Sequence, residues 1–121
     1  GAGGLSAVLD WEFAHRGSPM EDIGWLCVRD WRFGVLDKPV GGLCARRRFY
    51  DAYTAAGGIE VDPAAVHFWE VFGNLSWAVG ALWQTQRFLD GEMDFELLAI
   101  GRRASEMTWE ALRLIDRGVM A

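Results

Sequence analysis

Val8-Leu9-Asp10-Trp11-Glu12 is the stretch of the chain best suited to chemistry. An apolar run of the β type, Leu5-Ser6-Ala7-Val8-Leu9, ends on one carboxylate, and a second follows two residues later. A strand end is a rigid mount. Magnesium held between a protein and a nucleotide takes only one or two protein carboxylates, its other oxygens coming from phosphates and water. Asp10 suits that role, and it equally suits the capping of a turn, the commoner task of an Asp in this position. Asp22 falls in the first turn of an expected helix, where the dipole favours an acid in any case. His67, Glu70 and Asn74 share one helical stripe, which either lines a pocket or forms the polar side of a mostly buried helix.

The other conspicuous residues read more simply. The seven tryptophans sit mostly among aliphatic residues at helical spacing, which favours core packing over a stacking platform. Arg46-Arg47-Arg48 reads as a solvated face. Cys27 and Cys44 have neither a Cys-x-x-Cys spacing nor neighbouring His, so zinc and dithiol chemistry have no support. Two buried free thiols in a reducing cytoplasm are expected.

The elements that must position these groups follow from local signals. Gly1-Ala2-Gly3-Gly4 before the apolar run suggests a hairpin turn, and since nothing precedes it in the sequence, the chain looks cut inside a larger fold. Ser18-Pro19-Met20-Glu21 is a capping-box helix start, predicting a helix to about Arg32. A second helix is expected from about Leu43 to Ala56, closed by Gly57-Gly58. Asp62-Pro63 opens the longest segment, reaching Asp90-Gly91, with apolar residues around almost its whole circumference; such a helix belongs in the centre. Gly73 and Gly80 would either bend it or admit a neighbour. A last helix should run from near Asp94 to Gly118, with an Arg102–Glu106 pair on its surface. The expected fold is mainly α, one short N-terminal strand followed by about four helices, in a single helical subdomain spanning residues 1–121.

Composition narrows the function. With 121 residues, 51% of them hydrophobic and a net charge of -5, the chain can build one core, and disorder is excluded. The acidic balance argues against nucleic acid. No apolar run is long enough to span a bilayer, and the N-terminus has no signal-like core, so no membrane association and a cytoplasmic location are expected. An exposed strand edge would offer a surface for homodimer formation.

The run Ala7-Val8-Leu9-Asp10-Trp11-Glu12-Phe13-Ala14-His15, followed by Gly17, Pro19, Glu21-Asp22 and Trp25-Leu26, resembles the aminoglycoside-phosphotransferase-like family of small-molecule kinases. Asp30-Trp31-Arg32-Phe33-Gly34, Pro39-Val40-Gly41-Gly42, Phe68-Trp69-Glu70 with Asn74-Leu75, and Gly101-Arg102-Arg103 are similar to one branch of it. The resemblance implies the C-terminal helical lobe of a protein-kinase-like fold, with ATP and magnesium between two lobes and phosphate passed to a small-molecule acceptor that the residues do not name. It implies a magnesium ligand at Asp10, a carboxylate bracing the catalytic loop at Asp22, and a motif position of open role at Glu12. The helices of such a lobe generally build the acceptor side, which directs attention to residues 31–42 and to the polar stripe of the long helix.

The departures from the family pattern matter as much. The chain holds no His-x-Asp with an Asn five residues after the Asp; His15-Arg16-Gly17 lacks the Asp and follows Asp10 instead of preceding it. No strand Lys or phosphate-covering loop is identifiable, and Gly1-Ala2-Gly3-Gly4 is no substitute because no helix N-terminus follows it. The chain therefore contains no catalytic residue of that kind. Neither ATP nor magnesium is expected to bind tightly to it alone, and the isolated chain should be inactive. The competing expectation is a non-enzymatic helical module that binds a partner or dimerises.

Overall fold

Three helix starts arise from side chains that accept an otherwise orphaned backbone N–H. In the computed structural model, which describes residues 3–120 with the side chain of Glu12 excepted, Ser18 Oγ accepts from Met20 N at 3.2 Å ahead of α1 (Pro19–Leu26). Asp62 Oδ1 accepts from Ala64 N at 2.9 Å ahead of α3 (Pro63–Leu89). Asp94 Oδ1 accepts from Glu96 N at 2.9 Å ahead of α4 (Phe95–Gly101). Pro at the first helical position of α1 and α3 adds a preset φ where no N–H is needed. Helix α2 (Arg46–Ala55) lies between them and α5 (Arg103–Arg117) closes the fold.

Helix α3 is the axis, with α1, α4 and α5 packed on it. One core cluster, Met20, Ile23, Cys27, Val40, Tyr50 and Val66, joins α1 and α2 to the first half of α3. A second, Val28, Ala78, Ala81, Ala104 and Met107, joins its second half to α5. Small residues set the spacing. A Cβ at Gly24 would stand 2.5 Å from Trp69 Cβ and 3.0 Å from the Glu70 backbone nitrogen, and one at Gly73 would stand 2.7 Å from Val28 Cγ2. Both glycines let α1 lie against α3. Helix α3 is continuous through Gly73 and Gly80, so close approach is the role of Gly73, while Gly80 faces open space.

Several expectations are corrected. Residues 5–10 form no strand; the segment is exposed and, among the described residues, has no ladder partner, and extended backbone without a partner is no sheet. Gly1 and Ala2 of the expected hairpin turn lie outside the described residues. Helix α1 stops at Leu26, and a separate 3₁₀ turn, Arg29–Arg32, follows it. The segment expected as one last helix is interrupted at Arg102, where α4 ends and α5 begins; no ion pair joins Arg102 to Glu106 among the described residues. The largest departure concerns α3. It is central, yet Phe68, Phe72, Val79 and Trp83 on it are 51–67% exposed, so its apolar circumference is covered on one side only. No helix among the described residues is long and apolar enough to cross a membrane.

Gly24→Ala should lower stability by about 2 kcal/mol, because rigid backbone meets the new methyl. Gly80→Ala, in open helical space, should raise it by up to ~1 kcal/mol. Urea unfolding midpoints at unchanged slope would register both.

Candidate functional site

Two non-glycine residues among those described adopt left-handed backbone, Asp10 at φ 62° and Phe33 at φ 46°. Asp tolerates that region; a bulky aromatic does so only where the surroundings enforce it, and such outliers concentrate at functional positions. Each marks one of two candidate surfaces.

Asp10 ends the extended segment and precedes a 3₁₀ turn, Trp11–Phe13. Its carboxylate caps nothing, is exposed, and makes no hydrogen bond or ion pair among the described residues. The turn is braced by Trp11 Nε1 donating to the Val8 carbonyl at 2.9 Å. It is tied to α1 through His15, whose Nδ1 lies 3.0 Å from the Phe13 carbonyl oxygen and whose Nε2 lies 3.2 Å from Glu21 Oε2. The Phe13 carbonyl, then Glu21, raise the His15 pKa, and the charge of Asp22 adds to the effect. Glu21, expected to complete a capping box, is instead the partner of His15. Asp22 is exposed on the first turn of α1. No hydrogen bond or ion pair connects it to Asp10, and among the described residues no group of three or more His, Cys, Asp or Glu could hold a metal ion. The Glu12 side chain lies outside the described residues.

The second surface is built on a buried ionic network. Glu70, 1% exposed, takes Arg32 Nη2 at 2.8 Å and Arg46 Nη2 at 2.9 Å. Glu110 on α5, wholly buried, takes Arg113 Nε at 2.9 Å, with Arg32 Nη2 and Arg29 Nη1 each at 3.4 Å. Asn74 Nδ2 donates to the Glu70 carbonyl at 2.8 Å, and its Oδ1 accepts from Arg29 N at 3.4 Å. Burial pushes the Glu70 carboxyl up against the pull of Arg46 and Arg32. Burial acts on Glu110 too, but there the Arg113 hydrogen bonds and the Arg32 and Arg113 charges win and hold it below its ordinary value. Cys27 beside this network is pushed to about 11 by burial, an inert thiol, and Cys44 is only half-buried; both are free.

Residues 29 and 32 share the inner face of the 3₁₀ turn, since side chains three apart eclipse in that geometry. Asp30 and Trp31 therefore face elsewhere. Asp30 Oδ2 accepts from Trp77 Nε1, and Asp30 Oδ1 accepts from Arg103 Nη1 at 3.0 Å. Around them opens a cleft of about 510 Å³, with Trp31, Phe33, Leu36, Trp77 and Ile100 on its apolar wall and Arg29, Arg103 and Glu106 among its polar groups. The cleft is broadly open to solvent, with room for part of a small organic molecule. Of the loop singled out in the sequence, Trp31, Phe33, Gly34 and Leu36 line this cleft. The stripe of the long helix does not: Glu70 and Asn74 point into the ionic network, and His67 is half-buried beside Arg46.

Comparison with known families settles the kinship. The model of the phosphotransferase enzyme family matches residues 1–69. The chain belongs to that family. The matched region contains Asp10, Glu12 and Asp22 and the loop side of the cleft, while Trp77, Ile100, Arg103 and Glu106 lie beyond it. No curated protein and no solved structure matches the chain.

Arg32, Glu110 and the buried role of Arg46 were not legible as a unit in the sequence. Arg46, read as part of a solvated basic run, is 5% exposed, whereas Arg47 and Arg48 are exposed. The available signal was positional: Glu110 falls among Met107, Ala111 and Leu114, the inner residues of α5. The tryptophans also divide, since Trp11, Trp83 and Trp109 are 56–69% exposed and only Trp31, Trp69 and Trp77 are half-buried.

Glu70→Ala leaves the buried Arg46 guanidinium without its carboxylate and Arg32 with only the longer Glu110 contact, and should cost about 3–5 kcal/mol in chemical unfolding. Tyr50→Phe deletes a buried hydroxyl that lies beside Arg46 and meets no partner in normal hydrogen-bond geometry among the described residues, and should change stability by no more than ~1 kcal/mol. The depressed Glu110 carboxyl contributes stability that is complete above its ordinary pKa of 4.5 and fades as pH falls through the lower folded value. Relative to the wild type, Glu110→Gln should therefore lose stability near neutrality and show a flatter acid limb in a pH series of melting temperatures.

Proposed function

We propose that this chain is the acceptor-binding, helical part of an ATP- and magnesium-dependent phosphotransferase acting on a small molecule. The observation that carries the reading is the family match over residues 1–69, which includes the segment from Asp10 to Asp22. Asp10 fits a magnesium ligand: it is exposed, unpaired among the described residues and held in left-handed backbone. A single protein carboxylate is enough where nucleotide phosphates supply further oxygens. Bound there, magnesium would neutralise charge on the transferring phosphate. The His15–Glu21 contact ties the loop that follows Asp10 to α1. Asp22, on the same turn, would brace a neighbouring catalytic loop. The cleft beside Trp31 and Trp77 would hold the acceptor against an apolar wall.

The 121 residues supply the metal ligand and the acceptor side but no His-x-Asp base and no phosphate cradle. Phosphoryl transfer works through the joint positioning of all these groups. The isolated chain should therefore transfer no phosphate from ATP, and robust product formation by the purified 121-residue protein would refute the assignment of roles. An in-frame His-x-Asp loop in the coding region immediately upstream would make the kinase reading strong, and its absence there would count against that reading. In a polypeptide that joins these residues to a His-x-Asp loop and a phosphate cradle, Asp10→Asn should lower turnover about a hundredfold or more.

One observation favours a second reading, a non-enzymatic helical module. Phe68, Phe72, Leu75, Val79, Leu82 and Trp83 form an exposed apolar stripe on α3, a surface suited to association. Since residues 5–10 form no strand, this stripe replaces the strand edge as the candidate homodimer surface. Light scattering during magnesium and ATP titration separates the two readings: a dimer indifferent to nucleotide supports the module.

A further inference from the structure

We propose that the cleft beside Trp31 and Trp77 recognises an amphipathic organic anion, a ring or branched apolar body ending in a single carboxylate. Its description as the acceptor rests on the phosphotransferase reading; the ligand class rests on the cleft alone.

The wall comes first. Trp31 and Trp77 stand with ring centroids 5.3 Å apart, and Trp31 and Phe33 6.4 Å apart, forming an aromatic surface extended by Leu36 and Ile100. Phe33 is held there in left-handed backbone although it is 81% exposed, so the ring is displayed and not packed away. Such a wall matches an apolar body.

The polar groups then decide the charge of the ligand. A polycation would need unengaged carboxylates. Asp30, whose side chain is 11% exposed, has both oxygens occupied, one by the Trp77 indole N–H and the other by Arg103. Of the lining residues only Glu106, exposed at the rim, offers another carboxylate. Arg103 is the reverse case. Its side chain is 54% exposed, and Asp30 fixes the guanidinium through Nη1 while its other N–H groups remain available. An anchored guanidinium at the edge of an aromatic wall is a two-pronged receptor for a carboxylate. For phosphate to be passed to such a ligand it must also carry a hydroxyl, which makes an apolar hydroxy acid the matching acceptor.

Isothermal calorimetry on the 121-residue chain without ATP tests this, with 3-phenyllactate as the probe, 3-phenyl-1,2-propanediol as its carboxylate-free counterpart, and spermine as the polycation. Saturable binding of 3-phenyllactate is expected, about tenfold weaker for the diol. Arg103→Gln should bring the affinity for 3-phenyllactate down to that of the diol. Leu36→Glu, at a half-exposed wall position that tolerates substitution, should weaken it at least as much. Undetectable 3-phenyllactate binding, affinity unchanged in Arg103→Gln, or displacement of the probe by spermine would each overturn the proposal. Saturable binding with no phosphorylation of the probe by a polypeptide that joins this chain to a His-x-Asp loop and a phosphate cradle would leave the ligand class standing and overturn only its role as acceptor.

Discussion

The buried Glu70 carboxylate, clamped by Arg32 from one segment and Arg46 from another, is the contact on which the rest of the architecture turns. Burying these charges has a desolvation cost of several kcal/mol per ion, so net stability is not what the arrangement provides. It specifies geometry. Arg32 can reach Glu70 and Glu110 only if the 3₁₀ turn Arg29–Arg32 lies across α3 and α5 together, and Arg46 can reach Glu70 only if α2 starts beside the same turn of α3. With residues 29 and 32 drawn inward, Asp30 and Trp31 are presented to Trp77 and Arg103. The cleft is the outer surface of the ionic network.

This network also explains the inverted polarity of α3. Its buried residues include Glu70 and Asn74, while large apolar residues of the same helix meet solvent. The ions need burial to hold their partners, and α1, α4 and α5 already cover the remaining inward surface. Apolar side chains in excess are left outside. Helix α5 repeats the pattern more mildly: Met107 and Leu114 are enclosed, and Trp109, though 56% exposed, has the Arg29 and Arg113 guanidiniums over its ring at 5.5 and 5.8 Å.

Close approach of backbones is the second constraint. Gly24 lets α1 touch α3 at Trp69, and Gly73 admits Val28, two residues beyond the end of α1 at Leu26. Together they place the 3₁₀ turn at the height of Asn74, whose side chain accepts the Arg29 N–H. The cleft wall, the ionic network and the glycine contacts are therefore one packing solution.

What the sequence determined by itself were the features encoded within a few residues of each other. Ser18, Asp62 and Asp94 announce helix starts because a side-chain cap and a following N–H are two residues apart. The mainly helical class and the kinship carried by the Asp10 to Asp22 segment are likewise local. Only the tertiary structure decided which charges are buried, because Arg32, Arg46, Glu70 and Glu110 meet across separations that no helical period spans. It also decided that residues 5–10 are not a strand, since a strand is defined by a partner and not by its own residues, and that the apolar girth of α3 is only half covered. Periodicity reports how apolar a helix is, whereas the neighbours that a chain can bring to it determine which side is enclosed.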